Sequence, residues 1–379
     1  MKKGGLLLIL LLRIFSALPA QNSDAHLRIS ILTCDPGEEL YATFGHTAIR
    51  VVDSVQHTDL VYNFGTFDFD DPDFYSKFTR GKLDYFLSVS ALDRFLYEYQ
   101  YEQRKVTEQV LRLSPAAKQN LHRALRDNLS GPSRYYQYDF LYNNCTSRVR
   151  DLLIRYTGFV AGTDLVPAGT SFRNMLHEYL NKGAKPWSKL GIDLLLGSPI
   201  DRKVNRFHSM FLPDYLMKGL DASGMVAEKN ILYAAVMQEP AIIDWPLIVF
   251  GALLLVFAGL FFVKNSYAKR VLKTMDFLLF LLTGLMGILL VFMWLGTDHK
   301  ACAANYNLLL VLPVNLWAAF ALWKGGKWVG KYFRLTAILF ALMMLCWYWL
   351  PQQLNIALFP LTFLLCFRSL QLSKDGKHV

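Results

Sequence analysis

A change in composition at Trp245 constrains the possible fold of this chain more than any other feature. Residues 21–244 have the composition of an ordinary globular domain, whereas strongly apolar segments follow it. There are five of them, at residues 246–263, 275–295, 307–323, 335–350 and 354–367. The first two have the length of about 20 residues that a helix needs to cross a bilayer, and the last three are shorter. Pro360 interrupts the fifth, so the sequence predicts a membrane bundle of four or five helices.

The charges between these segments predict the orientation of the bundle. Basic residues crowd the first loop, the third loop and the C-terminus: Lys264, Lys269, Arg270, Lys273, Lys324, Lys327, Lys331, Arg334, Arg368, Lys374 and Lys377. The second loop carries only Lys300, and the fourth has no basic residue. Basic loops stay in the cytoplasm. We therefore expect a multi-pass protein of the inner (cytoplasmic) membrane, with a cytoplasmic C-terminus and the domain before Trp245 on the periplasmic side.

The N-terminus predicts export of that domain. Lys2 and Lys3 precede an apolar run at residues 6–12, and small residues follow at 16–20. This is the pattern of a secretory signal peptide, with cleavage expected after Ala20. Two independent features thus favour an exported domain.

The net charge of +10 does not indicate nucleic-acid binding. Eleven basic residues lie at the cytoplasmic ends of the apolar segments, and the chain has no zinc-finger spacing or basic helix. A group of acidic residues, Asp68, Asp70, Asp71 and Asp73, completes no calcium-binding loop and is interpreted as a solvated turn. We expect no metal and no cofactor.

Cys145 stands where an extended aromatic run turns into a helix. Residues 135–140 alternate as a strand, Asn143 and Asn144 supply turn and capping chemistry, and residues 146–156 have helical spacing. The positive end of a helix dipole favours thiolate over thiol. Backbone amides at the same helix end would stabilise an oxyanion. The sequence therefore predicts Cys145 as the nucleophile of an acyl-transfer reaction.

A predicted hairpin supplies the base. Residues 26–33, 43–53 and 59–66 alternate as strands, and the short connection at 54–57 indicates that the last two pair. With a turn centred near Ser54 and Val55, His46 faces Asn63. We expect His46 to take the thiol proton and Asn63 to hold its imidazole in the required tautomer. Tyr62 should point to the opposite face of the sheet.

Further residues are expected to contact substrate. Tyr62, Asn144 and Arg80 flank the predicted catalytic segments. The loop before the third apolar segment is also polar and lies on the exported side: Asp298, His299 and Asn305. Polar groups at the mouth of a bundle are costly unless they are used or solvated. We therefore predict that all six residues form part of a substrate site.

Two other functions remain compatible with these residues. Cys34 is the second cysteine of the exported domain, and a Cys34–Cys145 disulfide would make the chain a non-enzymatic membrane assembly protein. An NlpC-type cell-wall peptidase or amidase would use the same Cys–His chemistry on peptidoglycan. A peptidase would need only a single membrane anchor, so the five apolar segments favour a reaction in which the substrates are themselves embedded in the membrane.

Several motifs together resemble one family. They are Phe44-Gly45-His46, residues 62–67 (YNFGTF), residues 143–146 (NNCT), residues 197–202 (GSPIDR), residues 211–213 (FLP) and the polar loop with Asp298, His299 and Asn305. The set resembles the Lnb-type lipoprotein N-acyltransferases of Bacteroidota. That family is similar to circularly permuted papain-like enzymes, in which the histidine precedes the cysteine, as in lecithin:retinol acyltransferase-like proteins.

The resemblance implies a fold and an activity. The fold would be α+β: an exported permuted papain-like (NlpC/lecithin:retinol acyltransferase-like) domain followed by an all-α transmembrane bundle. Its parts would be a signal peptide (1–20), a catalytic domain (21–165), a helical extension (166–244), the bundle (245–370) and a cytoplasmic tail (371–379). The activity would move an acyl chain from a phospholipid to the α-amine of a diacylglyceryl-cysteine apolipoprotein. Cys145 would be the nucleophile, His46 the base and Asn63 the third residue.

Overall fold

A seven-stranded antiparallel sheet forms the framework of the N-terminal half. The structure, a computed structural model, describes residues 26–235, 241–263 and 265–375, so the predicted signal peptide (1–20) and the end of the tail lie outside it. The sheet order is β6-β4-β3-β2-β1-β5-β7. Its strands are β1 (Leu27–Cys34), β2 (His46–Asp53), β3 (Thr58–Thr66), β4 (Asp84–Ala91), β5 (Val106–Leu111), β6 (Tyr135–Gln137) and β7 (Val226–Tyr233).

Strand alternation divides the core between the two faces of the sheet. Ile49 and Tyr62 point into the larger core, which α3 (Pro115–Ser130) and α4 (Cys145–Thr157) cover. Ala48 and Val61, one position earlier on each strand, point to the other face, where α2 (Leu92–Tyr101) packs. Because successive side chains alternate, His46 and Asn63 belong to the face of Ala48 and Val61.

The β2–β3 hairpin forms as predicted, with its register displaced by two residues. Ile49 pairs with Tyr62 and Asp53 with Thr58, so the turn is centred one residue later than we expected. His46 therefore does not lie directly opposite Asn63. A shift of two residues keeps every side chain on its face, whereas a shift of one would have reversed them all. Asn63 consequently remains a diagonal neighbour of His46.

The segment predicted as a helical extension is only partly separate from the sheet. It contains α5 (Phe172–Lys182), α6 (Pro186–Leu195), α7 (Arg206–Ser209) and α8 (Pro213–Ser223). It then returns as β7, which pairs with β5 at the edge of the sheet. The domain boundaries at 166 and 244 stay a prediction, and the last strand of the sheet comes from within this segment. Strand pairing over this separation leaves no local signal in the sequence.

Five helices form the C-terminal half. They are α9 (Trp245–Phe262), α10 (Ser266–Leu295), α11 (Asn315–Lys324), α12 (Val329–Leu345) and α13 (Leu358–Asp375). Among the described residues, α9 and α10 are long and apolar enough to cross a membrane by themselves. The third apolar segment was predicted to be continuous, but α11 begins only after Pro313, which has no amide to donate. Pro360 lies in the first turn of α13, where proline is tolerated, and this helix extends into the predicted tail (371–379).

Helix α6 connects the two halves. At its N-terminus the ammonium of Lys185 donates to the backbone oxygens of Gly37 (2.8 Å) and Glu38 (2.6 Å) and to the hydroxyl of Thr43 (2.8 Å). In its middle, Leu190 is buried in the core of the helical bundle, and Leu194 and Leu195 at its C-terminal end pack against the same core. A single short helix thus extends from the loop that precedes β2 to the membrane helices.

Buried polar contacts fix this junction. Arg173 is fully buried and binds Asp193 (2.7 Å) and Asp201 (2.9 Å). Asp193 also accepts hydrogen bonds from His177 (2.8 Å) and from Asn355 in the loop between α12 and α13 (2.9 Å). Leaving one member of such a buried set unpaired costs several kcal/mol, roughly 3–5 for a broken buried pair. The bundle and the N-terminal half are therefore held in one orientation.

Candidate active site

Cys145 is the first residue of α4, as its sequence context predicts. The preceding Asn144 is the N-cap: its Oδ1 accepts from the amide of Ser147 (2.8 Å), and the Ser147 hydroxyl accepts from the amide of Asn144 (2.8 Å). This reciprocal capping satisfies amides that would otherwise lack partners. The side-chain amide of Asn144 donates to Phe140 and Phe211 backbone oxygens. The cap therefore anchors the nucleophile on rigid secondary structure.

His46 and Asn63 meet beside this helix end. The Nε2–H of His46 donates to Oδ1 of Asn63 at 2.5 Å. This bond leaves Nδ1 for the thiol of Cys145, with which the imidazole also forms a hydrogen bond. The three residues that the sequence analysis singled out for catalysis are thus in one constellation, in the order nucleophile, base and orienting amide.

The electrostatics of the pair favour a reactive thiolate. Burial by itself would raise the pKa of the Cys145 thiol, but the charge and hydrogen bond of His46 and the amide of Thr47 lower that pKa from 9.0 to about 7. Burial likewise opposes protonation of His46, yet the adjacent Cys145 and the bond to Asn63 raise the pKa of the imidazole above its usual 6.5. Each group stabilises the charged form of the other, as in an ion pair.

Sequence reasoning missed three contributors beside the thiol. Thr146 places its hydroxyl 3.8 Å from the sulfur and 3.0 Å from the hydroxyl of Thr47, which is itself buried. Gly65 has a φ of +93°, and a Cβ placed on it would lie 3.5 Å from that of Cys145. This glycine lets β3 pass close to the nucleophile. The quoted motifs contained Thr146 and Gly65, but their roles depend on tertiary contacts.

The constellation opens into a cavity of about 500 Å³ with aromatic walls. Its volume is in the range of small-molecule sites. Besides the three catalytic candidates, its lining includes Phe44, Phe67, Phe69, Phe78, Tyr85, Tyr138, Phe140 and Phe211. These rings give much of the cavity an apolar surface, and Glu98 and Arg104 also line it. In the sequence these aromatic residues are scattered between Phe44 and Phe211 and form no recognisable motif.

The other predicted substrate residues of the N-terminal half fall in different places. Asn144 lines the cavity, but its side chain is engaged as the cap described above. Tyr62 points to the opposite face of the sheet, as its position relative to Asn63 predicts, and is buried in the core. Tyr62 does not line the cavity, and its contact with substrate stays a prediction. Arg80 is exposed at the end of the short helix α1 (Phe74–Thr79) and does not line the cavity.

The three residues of the exported loop make docking contacts instead of lining the cavity. The amide of Asp298 donates to the backbone oxygen of Arg80 (2.9 Å), and Nε2 of His299 lies 3.2 Å from the backbone oxygen of Phe78. Asn305 is buried and donates to the backbone oxygen of Leu194 (2.7 Å). These contacts hold the bundle against the N-terminal half, and the role of the three residues as substrate ligands stays a prediction.

The two cysteines of this half are not bonded to each other. Cys34 and Cys145 are both free thiols. Cys34 is fully buried and hydrogen-bonded to Tyr99, and burial raises the pKa of its thiol to about 12. The structure therefore gives the disulfide interpretation no support.

These features define a class: a membrane protein with an α+β periplasmic domain that carries a Cys–His pair next to a helical transmembrane domain. Two family models match the chain, the Lnb N-terminal periplasmic domain at residues 15–181 and the Lnb transmembrane domain at residues 238–375. The chain belongs to the Lnb family. No curated protein and no solved structure matches it. The family confirms the resemblance found in the motifs, the α+β fold class and the membrane domain.

Proposed function

We propose that this protein is a lipoprotein N-acyltransferase that carries the acyl group on Cys145. The observation that supports this most is the position of the Cys145–His46–Asn63 constellation in an aromatic cavity of a domain docked onto a transmembrane bundle. Membership in a family of lipoprotein biosynthesis adds to it. The donor is a phospholipid, and the acceptor is the α-amine of a diacylglyceryl-cysteine apolipoprotein.

The first half-reaction forms a thioester. The thiol proton passes to His46, and the thiolate attacks the carbonyl carbon of a phospholipid ester. The amide at the start of α4 stabilises the oxyanion. The carbon–oxygen bond to the glycerol then breaks, and the imidazolium returns its proton to that oxygen. The products are a lysophospholipid and an acyl group bonded to the Cys145 sulfur.

The second half-reaction transfers this acyl group. The free α-amine of the apolipoprotein attacks the thioester carbonyl, and His46 takes the proton that the nitrogen loses. The carbon–sulfur bond breaks and Cys145 leaves as a thiolate, which restores the starting state. Exclusion of water by the aromatic walls protects the thioester from hydrolysis between the two steps.

Trapping of the thioester tests the proposal. The full-length protein, incubated in phospholipid vesicles without acceptor, should gain one fatty-acyl mass on the peptide that contains Cys145. Neutral hydroxylamine should remove it, and a diacylated lipopeptide with a free α-amine should discharge it with formation of an N-acylated product. The same lipopeptide with a blocked amine is the control and should leave the adduct in place.

Two other results would contradict the transferase. Loss of the adduct to free fatty acid, at the same rate with and without acceptor, would indicate a phospholipase or thioesterase. Absence of any fatty-acyl adduct, together with cleavage of peptidoglycan peptides, would indicate the NlpC-type peptidase.

We also propose that the protein lies in the inner membrane with its C-terminus in the cytoplasm. Basic residues cluster around the α9–α10 connection, including the first turns of α10, and around the α11–α12 connection, including the first turns of α12. The loop after α10 contacts the N-terminal half. Topology reporters should register Lys273 and the C-terminus as cytoplasmic and Lys300 as exported. A C-terminus found outside would mean that α13 does not cross the membrane.

A further inference from the structure

A short helix of the periplasmic domain lies next to the point where a membrane helix leaves the bilayer. Helix α10 ends at Leu295, and three residues later the amide of Asp298 donates to Arg80 at the end of α1. His299 contacts the backbone of Phe78 within α1. Three extended residues span at most about 10 Å. Helix α1 is therefore held at the level of the membrane surface.

This helix and the loop before it expose large aromatic rings. Phe69, Tyr75 and Phe78 are 67%, 83% and 52% exposed. Grouped rings of this kind are unfavourable in water. At the boundary between headgroups and acyl chains, by contrast, aromatic side chains are enriched and stabilising. The location of α1 thus accounts for the exposure of its rings.

The exposed rings continue inward to the nucleophile. Phe78 stacks on Phe74, with ring centroids 5.9 Å apart, and Phe74 contacts Phe67 at 5.7 Å. Tyr85 follows at 5.3 Å from Phe67, and Tyr138 at 4.4 Å from Tyr85. Tyr85 and Tyr138 line the cavity that holds Cys145. A continuous aromatic track therefore connects the membrane surface with the sulfur.

We propose that residues 67–79, comprising this loop and α1, form the entry port through which a phospholipid acyl chain passes from the bilayer to Cys145. This inference rests on the proposed function and specifies how its donor arrives. Phe69 and Phe78 belong to both the exposed patch and the cavity lining, so they lie at the mouth of the cavity. When an acyl chain lies along these rings, its ester reaches the thiolate. The rest of the lipid then remains at the membrane surface.

The port is tested by comparing two donors in the full-length protein. One is a long-chain phospholipid in vesicles, and the other is a short-chain phospholipid dissolved below its micelle concentration. In the double variant Phe69→Ser/Phe78→Ser, the ratio of Cys145 acylation by the vesicle donor to that by the soluble donor should fall about tenfold or more, since two apolar contacts for the long chain are lost. Tyr97→Ser/Tyr101→Ser removes comparably exposed rings from α2 and should leave this ratio unchanged.

The outcomes separate this inference from the proposed function. An equal fall with both donors would mean that the two rings only shape the cavity, and no change in the rate with either donor would place the entry elsewhere; either result overturns the port. If wild-type protein is acylated by neither donor, the proposed function itself fails. A photo-crosslinking residue at position 75 should also label vesicle phospholipid while one at position 97 does not, and absence of labelling at 75 would contradict the port independently of activity.

Discussion

Replacement of Cys145 by Ala is expected to abolish acyl transfer while the protein still folds and inserts into the membrane. Loss of a covalent nucleophile costs about 10⁵-fold or more, because no other group in the site can form the intermediate. Cys145→Ser should be almost as inactive, since its hydroxyl does not share the lowered pKa that the thiol has, about 7. The measurement is the rate of N-acylated lipopeptide formation in vesicles, together with resistance to mild proteolysis as a test of folding.

A matched control separates the nucleophile from thiols in general. Cys346 is exposed at the end of α12 and does not line the cavity, so Cys346→Ser should retain wild-type activity. If Cys145→Ser retained more than about a tenth of the wild-type rate, Cys145 would not be the nucleophile, and the covalent mechanism would have to be abandoned.

The local motifs were sufficient to predict that Cys145, His46 and Asn63 lie together. A cysteine after two asparagines at a helix start, and a histidine near the start of a strand, are features of short segments. Hairpin arithmetic then linked His46 with Asn63. The predicted turn lies one residue too early, which displaces the strand pairing by two residues. Because side chains alternate along a strand, a displacement by two leaves each side chain on the same face, and His46 still lies near Asn63.

The substrate residues were harder to predict because their roles depend on long-range contacts. Asp298 and Asn305 were predicted to contact substrate only because they are polar. In the structure the amide of Asp298 donates to the backbone at the end of α1, and the side chain of Asn305 donates to the backbone of α6. Tyr62 was included as a neighbour of Asn63, although alternation already placed it on the other face. The aromatic cavity is built from segments more than 100 residues apart, such as Phe44 and Phe211. The periodicity of a single segment cannot show that two such distant segments lie close together in the fold.

The docked arrangement suggests why a membrane bundle accompanies a small catalytic domain. Lys185 at one end of α6 holds the loop next to His46, and Leu190 further along is buried among membrane helices. The distance of the active site from the bilayer is thereby set by packed secondary structure and not by a flexible linker. In the proposed reaction both substrates are lipids embedded in the membrane, and a fixed distance to the bilayer avoids the cost of extracting either one into water.

Replacement of His46 by Ala is the second change with a large expected effect. The transfer rate should fall about 10²–10⁴-fold, since the thiol loses its general base. His46→Ala should also shift the pH dependence of Cys145 alkylation by iodoacetamide. His46 provides the leading influences that lower the thiol pKa, and burial raises it. Without the imidazole, the alkylation profile should move from about 7 to 9.0 or above.

Replacement of Asn63 is expected to have a smaller effect than replacement of His46, because Asn63 only orients the imidazole. Asn63→Ala removes the acceptor of the His46 Nε2–H bond and should reduce the rate by roughly 10–100-fold, less than loss of the base itself. Asn63→Asp keeps an oxygen acceptor and should recover part of that loss. His122→Ala, a histidine outside the cavity, should change neither the rate nor the alkylation profile. An alkylation profile that stays near 7 in His46→Ala would show that another group ionises the thiol, and the base would have to be reassigned.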